Sequence, residues 1–148
     1  MSDRPDSRSE IEISRIGWVG PLAIVCSIGA VLAVRVAAVA MLQPDPKFTP
    51  LGWAFPILDT AILTTGAVLV FGAMASSAAR PIQMFRRTAA VVLLLSLVPA
   101  VATAFSSAWG GNWFNAVALA TMHIAAWAVC VWMLTTLTIR RRLPDEQR

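Results

Sequence analysis

The sequence predicts an all-α protein, a single up-down-up-down bundle of four transmembrane helices with both ends of the chain on the cytoplasmic side. Three observations lead there. The composition is 57% hydrophobic and 14% charged, whereas an ordinary soluble domain has roughly 45–50% and about 25%. The apolar residues fall into four runs, 16–42, 56–78, 88–106 and 115–139, each close to the ~20 residues a helix needs to cross a bilayer. The basic residues flank alternate ends of those runs. What remains outside the runs is too fragmented for a soluble domain, so any chemistry is expected among the helices.

Helices rather than barrel strands follow from the pattern within the runs. Backbone polar groups in hydrocarbon must be satisfied inside their own segment or in a closed barrel. Barrel strands alternate with period two, yet 91–98 and 61–70 are apolar on every side. Short connections make neighbouring spans antiparallel.

Taken in order, residues 1–15 mix charge, Ser and Pro and read as a disordered cytoplasmic leader. A cleaved signal peptide is not expected, although Ala38-Val39-Ala40 has the small-x-small form of a cleavage site. The acids Asp3, Asp6, Glu10 and Glu12, the long apolar run and Arg35 all oppose it. The first connection, 43–55, holds Pro44, Pro46 and Pro50, and Thr49-Pro50 reads as a cap and first helical position that would start the second helix early. The second and third spans are joined through Arg80, Arg86 and Arg87. The last connection, 107–114, carries Trp109 and Trp113 but no charge, and 140–148 is a basic tail.

Of the twelve basic residues, Arg4, Arg8, Arg15, Arg80, Arg86, Arg87, Arg140, Arg141, Arg142 and Arg148 lie at one set of ends. Lys47 stands alone at the other, with Arg35 inside the first span. Over short loops this asymmetry sets orientation, N-in and C-in. The basic pI therefore reads as topology rather than as a nucleic-acid partner, and Arg140 to Arg142 also suit anionic headgroups. Trp18 on the inner side, and Trp53, Trp109 and Trp113 on the outer, are expected as interface anchors.

Ionisable residues inside spans are costly and need an explanation. Arg35, Asp59 and His123 qualify, at heights of ~28, ~28 and ~24 Å from the cytoplasmic ends at 1.5 Å per residue. The expectation is a polar layer in the outer half, with an Arg35–Asp59 pair and His123 as its titratable member. Each residue has a plainer alternative. Arg35 can snorkel to phosphates, Asp59 can sit in a first helical turn where the dipole favours it, and His123 can be a hydrogen-bonded packing residue.

The third span adds Ser96, Pro99, Thr103 and Ser106 within an arc of roughly 100°. Pro99 frees the Leu95 carbonyl and is expected to kink the helix, with nearby hydroxyls satisfying the freed group. Cys26 lies about 180° around the first helix from Arg35, so a Cys26–Cys130 disulfide and an inward Arg35 exclude each other; the inward arginine is the preferred reading. Gly29, Ala33 and Ala37, and Ala116 with Ala120, form small-residue stripes suited to close packing or to dimers. No metal set, phosphate loop, dinucleotide fingerprint or nucleophile elbow occurs, and no cofactor is expected.

Phe85-Arg86-Arg87, the run Leu94-Leu95-Ser96-Leu97-Val98-Pro99, Met122-His123 and Arg35 together resemble a family of small bacterial four-span integral membrane proteins of unknown function. The resemblance covers nearly the whole chain and implies the fold and a bacterial cytoplasmic membrane. In that family the residue after the third-helix proline is often acidic, and here it is Ala100. The leading functional expectation is a non-enzymatic bundle that binds membrane lipids or a membrane-protein partner, a second copy of itself included. A small proton-linked carrier using Arg35, Asp59 and His123 is the alternative. A quinone-binding or oxidoreductase role for His123, Trp127 and Cys130, which share a helical face, ranks third.

Overall fold

In a computed structural model, which describes residues 11–42, 49–105 and 112–139, the chain forms four long helices. They are α1 (Ile13–Leu42), α2 (Ala54–Ser77), α3 (Pro81–Ala102) and α4 (Trp113–Thr136). All four are long and apolar enough to cross a membrane, and the protein is accordingly a multi-pass membrane protein of all-α architecture. Each helix packs on its neighbours in sequence, and α4 closes the ring against α1 while also touching α2 across the centre. Two faces result. The terminal face carries the start of α1, the end of α4 and the α2–α3 connection, and the loop face carries the other two connections.

Helix boundaries depart from expectation where charge and helicity part company. The third helix begins at Pro81, so Arg86 and Arg87 lie in its second turn and not in a connection. Proline is favoured at a first helical position because its missing N–H would have no partner there, and arginines do not stop a helix whose end leaves hydrocarbon. Thr49-Pro50 opens a separate 3-10 turn, Thr49–Leu51, rather than α2. The disorder expected over residues 1–15 does not extend to their last part: Ile11 bridges Ile139 in antiparallel fashion, and the Glu12 amide donates to the Thr138 carbonyl at 3.1 Å. Residues 11–15 are thus structured, tied to the end of α4, while 1–10 and the tail 140–148 fall outside the described residues.

Packing is unequal along the bundle. Near the terminal face Val19, Phe71, Phe85, Cys130, Val131 and Leu134 form a buried cluster, with the Phe71 and Phe85 rings edge to face at 4.9 Å. The loop-face half holds a smaller one, Ala38, Leu51 and Ala118. Between apolar helices in lipid there is little hydrophobic gain from contact, so dispersion and close fit hold them.

The helices approach closely where Gly20 of α1 meets α2: a Cβ there would lie 2.8 Å from Val68 Cγ1. Of the two uses the small-residue stripe on α1 suits, close packing within the bundle is not the one found. Nothing lies within 4 Å of a Cβ built on Gly29, and Ala33 and Ala37 are exposed, so on α1 the small residues face away from the other three helices. On α4 Ala116 is buried and Ala120 half-buried.

Candidate functional site

Burial along α1 fixes where its charge points. Val19, Ala23, Ser27, Val31 and Ala38 are buried, a stripe with helical spacing three to four on which Arg35 also falls. Cys26, on the opposite side, is exposed, and both cysteines are free thiols. The arginine is half-buried. Its Nε donates to the Leu51 carbonyl at 2.7 Å, and its guanidinium carbon lies 3.7 Å from the centroid of the Trp53 ring. Leu51 itself is buried against Ala38 and Ala118. Arg35 therefore rises from the inward stripe of α1 and locks onto the turn that precedes α2.

The expected pair is not formed. Among the described residues Asp59 makes no ion pair or hydrogen bond, and Arg15–Glu12 is the ion pair present, at 2.7 Å near the terminal face. Asp59 sits on α2 between Pro56 and Thr60 of the buried stripe Pro56, Thr60 and Thr64, one residue before Thr60, and is half-buried. The Leu51 carbonyl and the Trp53 ring hold the arginine instead.

His123 is also turned to its own helix. Its Nδ1 lies 2.8 Å from the Leu119 carbonyl, and because a carbonyl only accepts, Nδ1 carries the proton in that bond. The ring makes no hydrogen bond to Arg35 or Asp59. Among the described residues no hydrogen bond or ion pair joins Arg35, Asp59 and His123.

The hydroxyls behave alike. Ser96 donates to the Leu93 carbonyl at 2.8 Å and Thr103 to the Ala100 carbonyl at 2.7 Å. Neither reaches the Leu95 carbonyl that Pro99 deprives of its donor, so the expected hydroxyl compensation is not found among the described residues. The α-helix runs through Pro99 and ends three residues later at Ala102, tightening into a 3-10 turn, Thr103–Phe105. Ser106 and Trp109 lie outside the described residues. Trp18, Trp53 and Trp113 are exposed, at the helix ends where interfacial anchors belong, and Trp113 also meets the Phe105 ring edge-on at 5.4 Å.

Two polar links between helices had no clear sequence signal. Arg86 Nη2 donates to Thr135 Oγ1 at 3.3 Å, joining α3 to α4, and Thr135 in turn donates to the Val131 carbonyl at 2.8 Å. Ser27 reaches the Ala126 carbonyl from α1 at 3.5 Å. Thr135 lies on the buried face of α4, which helical phase would have found; the identity of its partner depended on α3 starting at Pro81. Trp127 is the one described residue whose side chain buries a polar atom, Nε1, without a partner. No three His, Cys, Asp or Glu side chains gather as a metal site among the described residues.

No family model, curated protein or solved structure matches this chain.

Proposed function

We propose that the protein is a non-enzymatic membrane bundle that binds an amphiphilic partner, a lipid or another membrane protein, at its loop face. One observation carries this reading. A permanent cation is held in place there by a carbonyl and an aromatic ring, neither of which neutralises it. A charge kept part-way out of water costs free energy unless it has a counter-charge, and a partner that supplies one repays that cost. The rival reading, a proton-linked carrier, has less support. A proton path needs hydrogen-bonded neighbours, whereas His123 is bonded through Nδ1 to the Leu119 carbonyl of its own helix and is not linked to Arg35 or Asp59, and Asp59 makes no bond among the described residues.

The test is what travels with the protein. Extracted from its native membrane in mild detergent, the full chain should carry a lipid or protein in native mass spectrometry; a bare, ligand-free monomer overturns the reading.

In this proposal the loop face is extracytoplasmic, because Arg15, Arg80, Arg86 and Arg87 gather at the terminal face; a bacterial cytoplasmic membrane is what the family resemblance implies. A cysteine at Ala79, in the α2–α3 connection and exposed, reports the orientation in a Cys26→Ala background. It is expected to react with a membrane-impermeant maleimide only after the cells are opened. Reaction in intact cells reverses the orientation.

A further inference from the structure

A guanidinium has five N–H donors in a fixed plane and no acceptor. In Arg35 one of them, on Nε, is spent on the Leu51 carbonyl at 2.7 Å, and one face of the guanidinium plane lies against the Trp53 ring, its carbon 3.7 Å from the ring centroid. The hydrogen bond and the stacking together fix the plane of the group. With Nε engaged, the edge left whole is the end-on pair Nη1 and Nη2, whose N–H groups donate to nothing among the described residues. That edge is a two-pronged fork matched to two oxygens of one tetrahedral or planar anion.

The surroundings select the anion. Arg35 lies seven residues before Leu42, the last residue of α1, which is ~10 Å along the axis at 1.5 Å per residue and within reach of the headgroup level for a long side chain. Around it on the loop-face half, Val36, Met41, Trp53, Phe55 and Leu58 are exposed and apolar. An anion that settles there brings or meets an apolar chain beside it, and the anionic group that membranes present at this depth is phosphate.

We propose that the Nη1/Nη2 edge of Arg35 binds a phosphate group, carried by a lipid headgroup or free in solution. Trp53 and Leu51 are its positioning residues, and this assignment rests on the binding function proposed above. The arginine does more than supply charge. It presents a fork whose orientation is set before the ligand arrives, so a lysine, which has neither the fork nor the Nε donor, is a poor substitute.

The experiment uses the full chain in an uncharged, phosphate-free detergent and native mass spectrometry. Three probes are titrated separately: a phosphatidylglycerol, the diacylglycerol with the same acyl chains, and inorganic phosphate. The wild type is expected to retain the phosphatidylglycerol on the order of tenfold better than the diacylglycerol, the value for one charge-assisted hydrogen-bonded contact. Both Arg35→Lys and Arg35→Gln are expected to erase that difference while leaving diacylglycerol retention unchanged. If inorganic phosphate at millimolar concentration displaces the phospholipid, the proposal stands with a soluble source; if it does not, it stands with a lipid source.

Equal retention of phosphatidylglycerol and diacylglycerol by the wild type overturns the proposal, and this comparison needs no variant to fold. An Arg35→Lys protein that matches the wild type overturns it as well, since charge alone then suffices. In both cases the broader binding function survives as long as some lipid or protein stays bound. Only a wild-type protein that retains nothing at all removes both.

Discussion

Replacing Phe71 with alanine is expected to lower the unfolding free energy of the detergent-solubilised protein by about 2–4 kcal/mol. Phe71 has no exposed surface, and its ring meets Phe85 of α3 edge to face at 4.9 Å. In a soluble protein such a truncation removes both the transfer free energy of the ring and its packing. Here the unfolded helices remain in an apolar medium, so the transfer part largely cancels and the lost dispersion and the cavity remain. That is why the expected range sits at or below the usual figure for a buried phenylalanine. The check is thermal or denaturant unfolding followed by helix content, with Leu69→Ala as comparison, because Leu69 on the same helix is exposed to lipid. A Phe71→Ala protein as stable as Leu69→Ala would show that the terminal-face cluster does not hold the bundle together.

Gly20→Ala is expected to cost about 1–3 kcal/mol, the range for forcing extra atoms into a packed contact. The added methyl would lie 2.8 Å from Val68 Cγ1. Valine on a helix has one strongly preferred rotamer, so its methyl cannot swing aside, and α1 and α2 must move apart. Shortening the opposing residue should restore the contact: Gly20→Ala with Val68→Ala is expected to recover most of the loss, whereas Val68→Ala alone leaves a small void. A double-mutant cycle reads the coupling directly. Gly29→Ala serves as the control, since nothing lies within 4 Å of a Cβ built there, and it should be neutral or slightly stabilising because alanine is the better helix former. Equal losses at Gly20 and Gly29 would remove the close approach as the cause.

Much of this architecture was legible in the sequence because a bilayer leaves so few solutions. Length and apolarity alone locate four helices, and helical phase sets Arg35 opposite Cys26, so that only one of the two can face inward. Boundaries were harder to read. A search for apolar runs stops at Arg86 and Arg87, but a helix does not stop where hydrocarbon does, and the signal that mattered was the proline at position 81. The site was the least legible part. Spacing gives Arg35 and Asp59 a similar expected height, but whether two side chains meet depends on how each helix is rotated, which spacing does not reveal. The acceptor Arg35 found is a backbone carbonyl, and a carbonyl has no residue type to mark it. Hydroxyls on the polar arc of α3 were equally ambiguous, for a serine bonded to its own helix and one bonded across a bundle have the same sequence.

The backbone contact between Ile11 and Ile139 reaches beyond stability. Because the chain enters and leaves the bundle at adjoining points, whatever is attached to its two ends emerges as neighbours rather than across the width of the anchor. A four-helix membrane unit closed in this way acts as a clasp: it can hold two appended segments side by side whichever surface of the bilayer they occupy.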